Sequence, residues 1–190
     1  MNAAEQLALI ERMVREGQRS FGRHGWIFVL WGVGHLGAIG WQLLQPARGG
    51  LGWAVLMAAC GIATGVGLVR QERGRPKATA VGRALGAVWL TFGLSLALFW
   101  GVGLARDRFA DGESFLFVFF VLEGSACVAS AVILSWPLQG VVGAAWWITA
   151  LVTTFVPAAT TPLFVAMAVV AEVGFGVWMM RTERRAGALG

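Results

Sequence analysis

The sequence predicts an all-α membrane protein: a polytopic six-helix transmembrane bundle that begins with an amphipathic cytoplasmic helix. Two observations carry that prediction. Hydrophobic residues fill 57% of the 190 positions and glycine another 27 of them, while only 13% are charged. A soluble domain carries about 25% charged residues and about 45–50% apolar ones, glycine included. The charges also stand in clusters, and most apolar runs between them approach the ~20 residues that cross a ~30 Å hydrocarbon core as helix. These runs are continuous and not alternating, which favours helices over barrel strands. Disorder, a collagen repeat and a disulfide scaffold are excluded by the same composition.

Residues 1–25 come first, as a cytoplasmic or interfacial helix. Ala3, Leu7, Ile10, Val14, Gly17 and Phe21 recur at alternating steps of four and three, a narrow apolar stripe. The other faces carry Glu5, Glu11, Arg12, Arg15, Glu16 and Arg19, with Glu11 and Arg15 a favourable i,i+4 pair. A long charged segment ahead of a full-length span is not the pattern of a cleaved signal peptide. Leu7, Ile10, Val14 and Phe21 are therefore candidates for contact with a partner or with the membrane surface. Six apolar spans follow at 26–44, 51–69, 84–104, 115–136, 141–156 and 163–180. The fifth is short, because Pro137 and Pro157 bracket it and proline cannot continue a helix from within. No linker separates folded units, so 26–180 reads as one transmembrane domain and 181–190 as a cytoplasmic tail.

Charge gives the orientation. With six spans both termini share a side, which collects Arg12, Arg15, Arg19, Arg23, Arg70, Arg73, Arg75, Lys77, Arg83, Arg181, Arg184 and Arg185, against Arg48, Arg106 and Arg108 on the other. That bias places both termini in the cytoplasm and the protein in the inner (cytoplasmic) cell membrane as a multi-pass protein. It also explains the basic run RQERGRPK (70–77) as a topology signal or anionic-lipid contact, so no direct binding of nucleic acid is expected. Trp26, Trp53, Trp100, Trp136 and Trp178 fall near span ends, as interfacial anchors do.

Ionisable groups inside the bilayer are expensive and mark candidate sites. His35, Glu123 and Glu172 each lie nine residues from a span edge, ~13.5 Å along a helix and so close to the midplane of a ~30 Å core. His35 shares a helix face with Gly32, Ala38 and Gln42, Glu123 with Cys127 and Ser130, and Glu172 with Ala168 and Gly176. Together they form a candidate midplane polar site for a proton or cation; the competing reading is that they only hold helices together, at about 1 kcal/mol per contact.

Other chemistries find little support. The single lysine, Lys77, lies in a loop, which excludes an intramembrane Schiff base. His24 and His35 are eleven residues apart, about 16 Å on one helix and too far to share a haem iron. A single axial bond from His35 to a haem or pigment stays open, but no cofactor or metal is otherwise expected. Cys60 and Cys127 lack redox spacing and read as packing residues. Phosphate-loop, nucleophile-elbow and zinc-protease motifs do not occur. GIATG (61–65) is a GxxxG pattern, compatible with close packing or a homo-oligomer.

The opening LALIERMVREGQRSFGRHGWIFVLWG (7–32), with Leu7, Ile10, Met13, Arg19 and the pair Trp31 and Gly32, resembles the start of uncharacterised small bacterial integral membrane proteins with an amphipathic N-terminal helix and about six spans. The resemblance covers these residues at motif level and the remainder in span count. Some of those proteins are encoded beside winged-helix regulators, which implies a cytoplasmic protein partner; no catalytic or binding residue carries over. The expected function is a non-enzymatic interaction, sensory or accessory subunit. The alternative is a small transporter or an ion- or proton-coupled channel built on the midplane residues.

The charge count makes a direct prediction about sidedness. Cysteines placed at Gly74 and Gly187 are protected from impermeant thiol reagents in intact cells, and one at Gly112 is labelled; labelling of Gly74→Cys in sealed cells reverses the orientation.

Overall fold

The computed structural model describes residues 3–73, 80–105 and 112–188. Among the described residues there are helices and turns and no strand. Helix α1 spans Ala3–Gly22, α2 Gly25–Leu44, α3 Gly49–Glu72, α4 Ala80–Ala105, α5 Gly112–Leu134 and α6 Pro137–Phe155. The last span is α7 (Thr160–Met167), a π-helical turn (Ala168–Gly174) and α8 (Phe175–Ala188) in direct succession. Six stretches are long and apolar enough to cross a membrane, the last running Pro157–Glu183, so the fold is that of an integral, multi-pass membrane protein.

The joints follow from proline and glycine chemistry. Pro46, Pro137 and Pro157 each stand at the start of a helical turn, where a missing N–H costs nothing. The fifth span accordingly begins at Pro137 and gains a full turn over its apolar core. The fourth stops at Leu134, short of the expected Trp136, because Ser135 adopts a left-handed φ of 50°. Trp136 N–H then donates to Ala131 O at 2.9 Å and Ser135 N–H to Val132 O at 3.3 Å, the bonding pattern of a Schellman cap. Gln18 Nε2 donates to Leu134 O at 2.6 Å and satisfies another end carbonyl. At the other end of the chain, most of the expected 181–190 tail is helix, since α8 continues to Ala188. The charged loop residues Arg75, Lys77, Arg106, Asp107, Arg108 and Asp111 lie outside the described residues.

Where composition suggests one transmembrane domain, contacts divide the chain into two compact units, and the first unit's pieces are far apart in sequence. This unit holds Met1–Gln18 and Ala78–Thr160, with α5 packed between α4 and α6. Helices α5 and α6 approach closely at Gly124 and Gly143, where a Cβ on either would lie 2.8 Å from the other's carbonyl oxygen. Phe119 and Phe120 pack on Trp146, edge-on at 5.6 Å and stacked at 5.5 Å. The second unit holds Arg19–Lys77 and Thr161–Gly190, with α2 packed against α3, the π turn and α8. Here Gly25 and Gly176 bring the backbones together, a Cβ on Gly25 lying 2.6 Å from Gly176 O. The GxxxG glycines do not take part: a Cβ at Gly61 or Gly65 would meet nothing within 4 Å.

Ser135 fills a position made for glycine, since an L side chain in the left-handed region costs roughly 1–2 kcal/mol. Ser135→Gly is expected to stabilise the protein by about 1 kcal/mol, measured by reversible unfolding in mixed micelles.

Candidate functional site

His35 stands midway along α2, on a stretch rich in small residues. A Cβ at Gly32 would lie 2.7 Å from Val173 Cγ2, 2.9 Å from Glu172 Cβ and 3.0 Å from Ala168 O, so glycine is what allows the π turn to lie on α2. Gly34 does the same toward α3, where a Cβ would lie 2.5 Å from Cys60 Sγ. Between these approaches the imidazole meets Glu172: Nδ1 is 2.8 Å from Oε2 and 3.0 Å from Oε1, with both residues 3% exposed. One ring nitrogen thus faces both carboxylate oxygens.

Aromatic rings close the rest of the surround. The centroids of Phe164, Trp31 and Trp53 lie 5.3, 5.9 and 6.1 Å from that of His35, and Trp53 stacks on Phe164 at an interplanar angle of 9°. Both indoles are themselves tethered, Trp31 Nε1 donating to Thr64 Oγ1 at 3.0 Å and Trp53 Nε1 to Gln42 Oε1 at 2.7 Å. Trp53, expected as an interfacial anchor, therefore also packs on the polar site. Gln42, expected on the His35 face, is exposed and serves that indole. Cys60 is buried and donates to Leu30 O at 3.7 Å.

Glu172 occupies a rare backbone. Within Ala168–Gly174 the chain makes π-helical bonds, and Phe175 N–H reaches back to Val170 O. Such turns occur mostly as single bulges and often at functional positions. Glu123, the third residue of the expected site, belongs to the other unit, on α5. It is 5% exposed, with Cys127 Sγ donating to its Oε1 at 3.9 Å. The face Glu123, Cys127 and Ser130 is buried as the spacing predicts, and Ser130 Oγ accepts a bond from Trp89 Nε1 at 3.1 Å. The structure thus brings together His35 and Glu172. A further buried polar residue escaped the sequence reading: Gln139 is fully buried, and neither its Oε1 nor its Nε2 finds a partner among the described residues. Its place two residues after Pro137 reads as an interfacial turn, and no spacing rule marks it.

The stripe on α1 divides along its length. Leu7 and Ile10 are 59% and 57% exposed, and Val14 is half-buried. Gly17 is buried in the first unit, where a Cβ would lie 2.5 Å from Val81 Cγ1. Phe21 is buried in the second, edge-on to Phe28 at 6.1 Å. Phe21, expected on the outward stripe, is instead a core residue, because the chain turns into α2 immediately after it. That turn is held by Gln71, whose Nε2 donates to Arg23 O at 3.3 Å and whose Oε1 accepts from Trp26 Nε1 at 3.4 Å.

Among the described residues no group of three or more His, Cys, Asp or Glu stands together as a metal site. A haem or pigment bound by His35 would have to use Nε2, since Glu172 takes the Nδ1 side. No protein-family model, curated protein or solved structure matches the chain.

The glycine approach that builds the pair is testable. Gly32→Ala is expected to destabilise the protein by about 1–3 kcal/mol through overpacking. Gly40→Ala, where a Cβ would meet nothing within 4 Å, serves as the control and stays within about 0.5 kcal/mol of wild type. Unfolding in detergent micelles measures both.

Proposed function

We propose that this integral membrane protein is a non-enzymatic interaction or accessory subunit of a bacterial inner membrane, which docks a cytoplasmic protein on the first half of α1. The observation that carries this reading is the divided stripe: one helix face is buried at Gly17 and Phe21 yet leaves Leu7 and Ile10 more than half exposed. An apolar helix face at i and i+3 is what a groove on a partner recognises. Charge favours protein over lipid as the occupant. The segment 3–14 carries Glu5 and Glu11 against Arg12 alone, whereas helices that lie on anionic leaflets are rich in Lys and Arg. Glu11, one turn beyond Leu7, flanks the stripe at its edge, so the groove that fits this face has a basic rim. The resemblance of residues 7–32 to proteins encoded beside regulators points to the same class of partner.

A second reading is favoured by the buried His35–Glu172 pair: a small transporter or proton-coupled channel. The two readings separate by mutation, since docking depends on Leu7 and Ile10, and transport on Glu172.

A photo-crosslinking residue at Ile10 in native membranes is expected to form adducts with one cytoplasmic protein, and the same residue at Arg12, on the far side of the helix, is not. Leu7→Glu with Ile10→Glu abolishes those adducts while unfolding stability changes by less than about 0.5 kcal/mol, as exposed substitutions do. Adducts confined to lipid, or loss of folding in the double variant, overturn the reading.

A further inference from the structure

The elbow between α1 and α2 borders a cavity of about 260 Å³ lined by Gly22, Arg23, Gln71, Met180 and Glu183, all residues of the second unit. Backbone bonds and Gln71 fix its walls. His24 N–H donates to Phe21 O at 2.8 Å and Ile27 N–H to His24 O at 2.9 Å, which sets the elbow. Gln71 ties α3 to it through Arg23 O and the Trp26 indole. On the other side α8 comes within van der Waals reach, since a Cβ at Gly22 would lie 3.4 Å from Glu183 Cβ. The cavity thus gathers the ends of three spans: Arg23 stands two residues before Gly25 opens the first, Gln71 closes the second, and Met180 and Glu183 fall in the last four residues of the sixth. That end of the spans is the level at which hydrocarbon gives way to lipid headgroups.

Two of the lining side chains are a guanidinium and a carboxylate, and among the described residues they form no ion pair with each other. A guanidinium offers five N–H donors, so Arg23 can bond another acceptor beside the partners it already has. A simple anion drawn to Arg23 meets the repulsion of Glu183, and a simple cation meets the reverse. A group with a phosphate at one end and a primary ammonium at the other answers both. Its phosphate takes charge-assisted bonds from Arg23, and its ammonium donates to the Glu183 carboxylate and to the second lone pair of Gln71 Oε1. Volume agrees: pockets for drug-sized ligands hold ~300–1,000 Å³, so this cavity suits a headgroup and not a haem or pigment.

We propose that this cavity binds the phosphoethanolamine headgroup of one membrane phospholipid, with Arg23 holding the phosphate and Glu183 the ammonium. Depth selects a lipid over a soluble zwitterion, because a headgroup reaches the ends of three spans by lateral diffusion and its acyl chains never leave the bilayer. The ammonium sets the specificity. A choline nitrogen has no N–H to give Glu183, and a glycerol headgroup has no cation to meet it, so the site differs from a general attraction of basic residues for anionic lipid. This inference is independent of α1 docking and of the His35–Glu172 pair.

The test is native mass spectrometry of the whole chain in detergent micelles, titrated with phosphatidylethanolamine, phosphatidylcholine or phosphatidylglycerol of identical acyl chains. One phosphatidylethanolamine is expected to be retained at least about tenfold more tightly than either of the others, the contribution of one charge-assisted hydrogen bond. Glu183→Gln is expected to abolish that preference. Glu183→Lys is expected to reverse it in favour of phosphatidylglycerol, a gain that an unfolded variant could not show. Arg181→Gln removes an exposed charge outside the lining and is expected to keep the preference. Soluble phosphoethanolamine is expected to displace the bound lipid only in large excess; binding as tight as the lipid's would overturn the lipid as occupant. Equal retention of the three lipids, or a preference that survives Glu183→Gln or is lost with Arg181→Gln, would overturn the site.

Discussion

A hydrocarbon surround offers no water to a backbone amide, and the described helices answer that constraint along their length and at the end of α5. Each span is helix, so its interior amides bond within the span. At the ends, where four carbonyls lack partners, the chain supplies them itself: the Schellman bonds around Ser135 close α5, and Gln18 reaches the Leu134 carbonyl from the α1 segment of the same unit. Helix association cannot draw on the hydrophobic effect in lipid, so it depends on close packing. The contacts at Gly124 and Gly143, and at Gly25 and Gly176, are of that kind. At each a single methyl would meet a carbonyl oxygen.

The same scarcity of water governs the side chains. Three indole N–H groups are bonded inside their own units, Trp31 to Thr64, Trp89 to Ser130 and Trp147 to Val121 O. Thr149, Thr153 and Thr154 return their hydroxyls to carbonyls one turn back on α6. These are neutral groups with short-range partners. Glu123 follows a similar local pattern with Cys127, one turn along α5. Glu172 differs, because its partner His35 is 137 residues away in sequence and on another helix. A local bond stabilises one helix; this one ties the first span to the last.

What was legible in the chain follows from which forces are one-dimensional. Hydropathy marks spans because lipid acts on each residue in turn, and prolines mark the joints for steric reasons, so six helices could be read with small errors at their ends. Depth is also a matter of counting, and the equal depths assigned to His35 and Glu172 agree with their contact. Lateral neighbours are set by packing in the other two dimensions. Neither the separation of Glu123 into another unit nor the aromatic surround of His35 is encoded in any spacing. The π turn was invisible for a related reason: AVVAEVG has no local preference that departs from an α-helix, and the turn arises where Gly32 admits the backbone of the last span. Phe21 shows the limit of periodicity, since a stripe records which residues share a face but not where that face stops being covered.

Helix α2 is where these features meet. Its middle carries His35, its first turn carries Gly25 against Gly176, and the elbow before it is held by Gln71 on α3. An α-helix of 20 residues is stiff over its ~30 Å length, so these contacts all bear on one rigid element. The Gly25–Gly176 contact lies just beyond the π turn, on the side of α8, and beside it Phe28 and Phe175 meet edge-on at 5.5 Å. Phe28 also packs edge-on against Phe21, buried near the end of α1. A contiguous line of packed rings therefore runs within the second unit from Phe175, the residue after the π turn, through Phe28 to Phe21. Contiguity alone is not coupling. What fixes one end of this line is a backbone turn of rare hydrogen-bonding pattern, held on α2 by the buried bond between His35 and Glu172.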